Sequence, residues 1–98
     1  MEKKTPHTKL SLIKKLVEAD RVHTTKSARE GAIALGFDFD AMLGVVIALS
    51  GADFYKSMTT YEDHRVWQDV YRPMTSAGRV YLKMTVIDDV LIVSFKEL

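Results

Sequence analysis

The last third of the chain leaves the fewest choices of fold. Arg79–Ile87 and Val90–Lys96 are rich in β-branched and aromatic residues, alternate with a period of two, and are separated only by Asp88-Asp89. That pattern predicts an antiparallel hairpin closed by a two-residue turn. The turn pairs Leu82 with Phe95, Met84 with Val93 and Val86 with Leu91, making one wholly apolar side that the rest of the chain must cover. On the other side Tyr81 falls opposite Lys96, Lys83 opposite Ser94 and Thr85 opposite Ile92. Directly opposed side chains lie roughly 5 Å apart at Cβ, so a phenol and an ammonium are expected together on the uncovered side.

The cover is written upstream, where the apolar period becomes that of helices. Thr8 is the expected cap of a helix over about Lys9–Ala19, with Leu10, Ile13, Leu16 and Val17 inward and Lys14, Lys15 and Glu18 outward. Thr24 or Thr25 caps a second helix with Ala28, Ala32 and Leu35 on its inner face, ended by Gly36. Alanines there imply close approach to a neighbouring helix. Asp38 and Asp40 offer caps for a third, about Asp40–Leu49, whose Met42, Leu43, Val46, Ile47 and Leu49 suggest burial along much of its length before Ser50-Gly51 stops it. Thr5-Pro6-His7 is expected to be extended, as is the short Arg21–Thr24. The expected fold is a single α+β domain over residues 1–98, with N-terminal helices on one face of a mainly antiparallel C-terminal sheet.

Between helices and hairpin runs Asp53–Pro73, which holds the only Trp and three of the four Tyr among closely spaced charges. Aromatic faces beside Lys and Arg suit an unpaired nucleic-acid strand, whose bases stack and whose phosphates need cations. The plainer alternative makes Trp67 and Tyr71 core aromatics of a strand. Lys56–Asp63 reads as a loop by its Ser, Thr and Asp content, and Arg65–Tyr71 as a strand. The segment Pro73–Gly78 is too long to set that strand's register, so Gln68 could face either way.

Composition removes several chemistries. With 47% hydrophobic and 28% charged residues the chain is an ordinary globular protein, and the absence of Cys excludes disulfides, thiolate zinc sites and cysteine nucleophiles. The charged MEKKTPHTK start is unlike a secretory signal, and no segment is long and apolar enough to span a bilayer, so a cytoplasmic address is expected. Net charge is only +1, which argues against a generic nucleic-acid coat, yet residues 1–26 hold seven Lys/Arg against three acids and residues 27–98 seven against ten. His7, His23 and His64 lack metal-ligand spacing, and Glu62-Asp63 and Asp88-Asp89 sit in turns. No glycine-rich phosphate loop and no nucleophile elbow occurs. The chemistry is left to Lys, Tyr, Gln and Arg, a set suited to phosphoryl transfer within RNA, where the ribose 2′-hydroxyl is the nucleophile.

The strings DFYKSMTTYEDHRVWQDVYRP, VYLKMTVIDDVLIVSFKE and MEKKTPHTKLSLIKKLV resemble the MqsR toxin family of bacterial toxin–antitoxin pairs over essentially the whole chain. The resemblance implies a RelE-like fold, mRNA-interferase activity at GCU-type sites, and inhibition by MqsA, a zinc-containing, DNA-binding antitoxin. It also implies that direct DNA binding needs that antitoxin. The family's proposed active-site positions match Lys56 in FYKSM, Gln68 in VWQDV, Tyr81 in VYLK and Lys96 in SFKE, and they put Gln68 on the active face. Tyr55, Arg72 and Lys83 are the expected RNA contacts. No metal and no cofactor is expected. An ordinary Lys or Tyr is a poor base at neutral pH, so crowding of Lys56 and Lys96 round one phosphate is expected to lower a lysine pKa, and a nearby ammonium that of Tyr81. Tyr81 or Lys96 is then the base, Lys56 the acid or phosphate clamp, and Gln68 the positioner of ribose or phosphate. Two other readings use the same residues: a non-catalytic RNA-binding regulator, and a protein-interaction module in which Lys83 and Lys96 merely solvate an edge strand.

Overall fold

The computed structural model describes residues 1–98. Three helices, α1 (Leu10–Glu18), α2 (Lys26–Ala34) and α3 (Phe39–Ile47), precede most of the strands. The strands are β1 (Glu2–Lys3), β2 (Val22–Thr24), β3 (Phe54–Thr59), β4 (Trp67–Tyr71), β5 (Met74–Thr75), β6 (Gly78–Ile87) and β7 (Asp89–Glu97). Six of them form a sheet in the order β1-β3-β4-β6-β7-β2, with β5 paired to the start of β6. All pairs are antiparallel except β2 with β7. The expected α+β class, with helices covering one face, is the observed one.

The core forms between that covered face and the helices. Leu82, Met84, Ile92 and Phe95 meet Ile13, Val17, Ala28, Ala32, Met42 and Val46, all buried. Thr25 caps α2 by accepting from the Ala28 N–H, and Asp38 caps α3 by accepting from Ala41. Gly36, at φ +88°, ends the α2 segment in the left-handed region. Three expectations about the helices need correction. The closest approach of α2 is to β7, not to a helix: a Cβ on Gly31 would collide with the backbone carbonyl of Phe95, while Ala28 and Ala32 share the core with Ile13 and Met42 of the other helices. Of the residues expected inside, Met42 and Val46 in α3 and Leu49 just past its end are buried, but Leu43 is only half-buried and Ile47 is exposed. The Thr8 side chain does not cap α1 either; its N-cap is Lys9, without a side-chain bond.

The hairpin register holds where the candidate site lies and fails beyond it. Leu82 faces Phe95, Tyr81 faces Lys96 and Lys83 faces Ser94, as expected. Past Lys83 a bulge at Val93 intervenes, so Met84 faces Ile92, Thr85 faces Leu91 and Val86 faces Val90. The connection is also tighter than expected, since Ile87 pairs with Asp89 and Asp88 alone turns the chain at φ +64°. Bulge and shortened turn offset each other by one residue. Thr25 holds the bulge, its hydroxyl donating to the Val93 carbonyl at 2.9 Å.

Three more segments differ from the sequence reading. Lys56–Thr59 is not loop but the greater part of β3, paired on both sides, to β1 and β4. The stretch after Pro73 is a small hairpin in which Met74 faces Arg79 and Thr75 faces Gly78. Residues 1–8 are an organised arm. The buried Asp69 carboxylate accepts the His7 and Thr8 N–H groups, each at 3.0 Å, together with the Ser57 hydroxyl.

Candidate active site

The registers place the expected residues on one face. Lys56 on β3 faces Val70 on β4, which faces Lys83 on β6, which faces Ser94 on β7. Side chains two residues apart on a strand share a face, so Gln68 joins Val70, and Tyr81 joins Lys83 with Lys96 opposite. Four neighbouring strands thus contribute Lys56, Gln68, Tyr81 and Lys96 to the face that the helices leave open. Val70 at 0% exposure is its apolar floor.

Tyr55, at the irregularity between Phe54 and Lys56, is the aromatic centre of one end. The Arg72 guanidinium lies 4.2 Å from its ring centroid, Lys4 Nζ 5.0 Å and Lys56 Nζ 5.4 Å. At the other end Lys96 Nζ lies 5.3 Å from the Tyr81 ring, the juxtaposition the hairpin demanded. Gln68 and Lys83 line an open cleft of about 500 Å³, completed by Met58, by Met1 of the arm, and by Thr60, Tyr61, Glu62 and His64 of the β3–β4 connection. That connection is braced internally, with Thr60 and Asp63 exchanging hydrogen bonds and Arg65 bound to Asp63.

The electrostatics are not those expected of crowded Lys56 and Lys96. β4 and β6 lie between their strands, and three strand spacings amount to roughly 14 Å. The Lys56 ammonium binds the Glu2 carboxylate at 2.5 Å, and this bond raises its pKa, against desolvation, while it lowers that of Glu2. Lys83 is the lysine pushed toward its neutral form, first by burial and then by the charge of Lys96. The sequence singled out Lys83 only as an RNA contact. It gave no sign of Glu2, whose meeting with Lys56 depends on a two-residue strand pairing across most of the chain.

Two aromatics of the central stretch are not on this face. Tyr71 is in the core, edge-on to Phe54 with centroids 5.5 Å apart. Trp67 stacks on the His7 ring at 5.4 Å and 15°, with Lys3 Nζ 4.2 Å from its centroid. The arm therefore occupies the indole that a base was expected to use. His23 hydrogen-bonds Asp89, and no group of three or more His, Asp or Glu side chains converges to suit a metal ion. No helix is long and apolar enough to cross a membrane.

Residues 5–97 match the family model described as "Motility quorum-sensing regulator, toxin of MqsA". The chain is 67% identical over 97 residues, 99% of each chain, to the protein named mRNA interferase toxin MqsR of Escherichia coli (strain K12).

Proposed function

Because the chain belongs to the MqsR toxin family, we propose that its open sheet face is the active site of an endoribonuclease toxin that cuts mRNA. One observation carries this reading: four adjacent strands bring Lys56, Gln68, Tyr81 and Lys96 onto the single face free of helices. On the resemblance noted above, cleavage is at GCU-type sites. An MqsA-like, zinc-containing antitoxin restrains the toxin and supplies the DNA binding.

The reaction uses the substrate's own nucleophile. A base on the face removes the 2′-hydroxyl proton, O2′ attacks the adjacent phosphorus, and the P–O5′ bond breaks as an acid delivers a proton to O5′. The products are a 2′,3′-cyclic phosphate and a 5′-hydroxyl. Lys56, kept protonated by Glu2, suits the clamp on the phosphate or the acid. Tyr81 and Lys96 are candidates for the base. Lys83 joins them, because burial and Lys96 favour the neutral amine that can accept a proton. Gln68, at the cleft, orients ribose or phosphate. Tyr55 with Arg72 offers a ring and a cation to the neighbouring nucleotide.

The test is cleavage of a short GCU-containing RNA in excess EDTA, with analysis of product ends and a 2′-deoxy substitution before the cut. Cyclic phosphate and 5′-hydroxyl ends, abolished by the substitution while binding persists, are expected. Recovery of 5′-phosphate ends would show that water attacks, and an RNA bound but left whole would show a regulator rather than a nuclease.

A further inference from the structure

We propose that Glu2 is a positioning residue for cleavage: carried to the open face on β1, its carboxylate holds the Lys56 ammonium where the scissile phosphate needs it. The inference rests on the role given above to Lys56.

The arm delivers Glu2 by geometry rather than by chance contact. β1 pairs Glu2 with Met58 and Lys3 with Ser57, and Met58 pairs with Gln68, so Glu2 shares the open face with Gln68 and Lys56. The arm is fastened at two further points. The Met1 carbonyl accepts from the Thr59 N–H at 2.9 Å, and Asp69 takes the backbone N–H groups of His7 and Thr8. A long surface lysine left to itself samples many rotamers. Here the Lys56 side chain is only 18% exposed and its charged end is spoken for by one carboxylate.

Apart from Glu62, which lines the cleft beside Gln68 and Lys83, the other charges facing this part of the sheet are positive. Lys4 of the arm and Arg72 beyond β4 flank Tyr55, and Lys83 lies two strands away on β6; the phenols of Tyr55 and Tyr81 also act on Lys56, and His64 joins Glu62 at the cleft. Without Glu2 the Lys56 ammonium would stand among like charges, which disfavour the charged form and push the side chain outward. An ammonium has three donors, and one bond to Glu2 leaves two for phosphate oxygens. A carboxylate here also opposes the approach of a polyanion. The same group therefore weakens substrate binding and improves what the bound substrate meets, and these two effects separate experimentally.

The experiment is steady-state cleavage of a short RNA by wild type, Glu2→Gln, Glu2→Asp and Lys56→Ala, alongside NMR titration of the lysine side-chain amines. Glu2→Gln is expected to lower kcat about tenfold or more while KM stays level or falls. The Lys56 amine should titrate at lower pH than in wild type, and the melting temperature should hardly move. Glu2→Asp, with the charge but a shorter reach, should restore the Lys56 titration more fully than kcat. A Glu2→Gln enzyme with unchanged or raised kcat and lower KM overturns the proposal, since the carboxylate would then be only a competitor for the phosphate site. Wild-type cleavage by Lys56→Ala overturns the role of Lys56 itself. A dead Lys56→Ala enzyme beside a fully active Glu2→Gln enzyme overturns the role of Glu2 alone.

Discussion

Leu82 and Met84 lie beneath the helices with 0% and 1% of their surface exposed, whereas Tyr81 and Lys83, on the same strand, lie on the face the helices leave bare. The covered side is held by volume: Leu82 against Phe95, Met84 against Ile92, Gly31 against the Phe95 backbone. The open side is held by charge and rings: Glu2 on Lys56, Arg72 and Lys4 about Tyr55, Lys96 over Tyr81. Only Val70 contributes buried apolar surface to it. A face built this way can present several cations to a phosphate without asking the core to bury them. It also implies that chemistry and stability respond to different residues.

The largest expected effect tests that separation directly. Lys96→Ala and Tyr81→Phe should each reduce RNA cleavage by about 10²-fold or more, the range of general acid–base contributions, with stability changed by no more than about 0.5 kcal/mol. Rates from product gels and denaturant melts on the same preparations measure both. Proportional loss of activity and stability would make the two faces one. The converse variant, Leu82→Ala, should cost about 2–5 kcal/mol by the cavity it leaves, while the surviving folded protein cleaves normally.

How much of this was legible beforehand depends on how far apart the interacting residues lie in the chain. Tyr81 opposite Lys96 followed from alternation and a short turn, both local, and it survived because the bulge at Val93 and the one-residue turn at Asp88 cancel. The position of the bulge was not legible, since it depends on the Thr25 hydroxyl bonding the Val93 carbonyl from another element. Taken alone, the Lys, Ser and Thr of β3 suggest a loop. Its extended shape comes from pairing with β1 and β4, and Ser57 is polar because the buried Asp69 carboxylate needs a donor there. The Gln68 side followed from the family resemblance and not from the pattern of β4. The tuning of the lysines was beyond reach for the same reason: Lys56 is governed by Glu2, and Lys83 by burial and Lys96.

Alkaline pH, read as a difference between variants, offers a probe of the covered side. Burial, with a smaller contribution from Asp69, pushes the Tyr71 phenol from 10.0 up to about 12. The folded state keeps the proton that the unfolded state releases, so this stability is fully present below pH 10 and is lost as pH rises toward 12. About two pKa units correspond to roughly 2–3 kcal/mol. Lysines titrate in the same window, with opposite signs for Lys56 and Lys83, so the measurement is the difference between wild type and Tyr71→Phe in urea melts at pH 9 and pH 12. Tyr71→Phe should lose less stability over that interval. Equal losses would show that the alkaline sensitivity does not come from the buried Tyr71 phenol.

The smallest effect concerns the end of the hairpin, where neither face has a claim. Asp88 sits at φ +64°, a conformation that costs a side-chain-bearing residue roughly 1 kcal/mol and glycine almost nothing. It makes no side-chain hydrogen bond of its own; the Asp89 carboxylate is the one that binds Arg21 and His23. Asp88→Gly should therefore stabilise the protein by about 0.5 kcal/mol, the relief being partly offset by the greater freedom of glycine in the unfolded chain. Cleavage should be unchanged, because Thr25 pins the bulge at Val93 between the turn and the Tyr81–Lys96 pair and so isolates that pair from whatever the turn does. Thermal melts and initial cleavage rates decide it. A variant that is more stable but cleaves poorly would mean that the turn sets the register of the open face, and that the bulge does not absorb its changes.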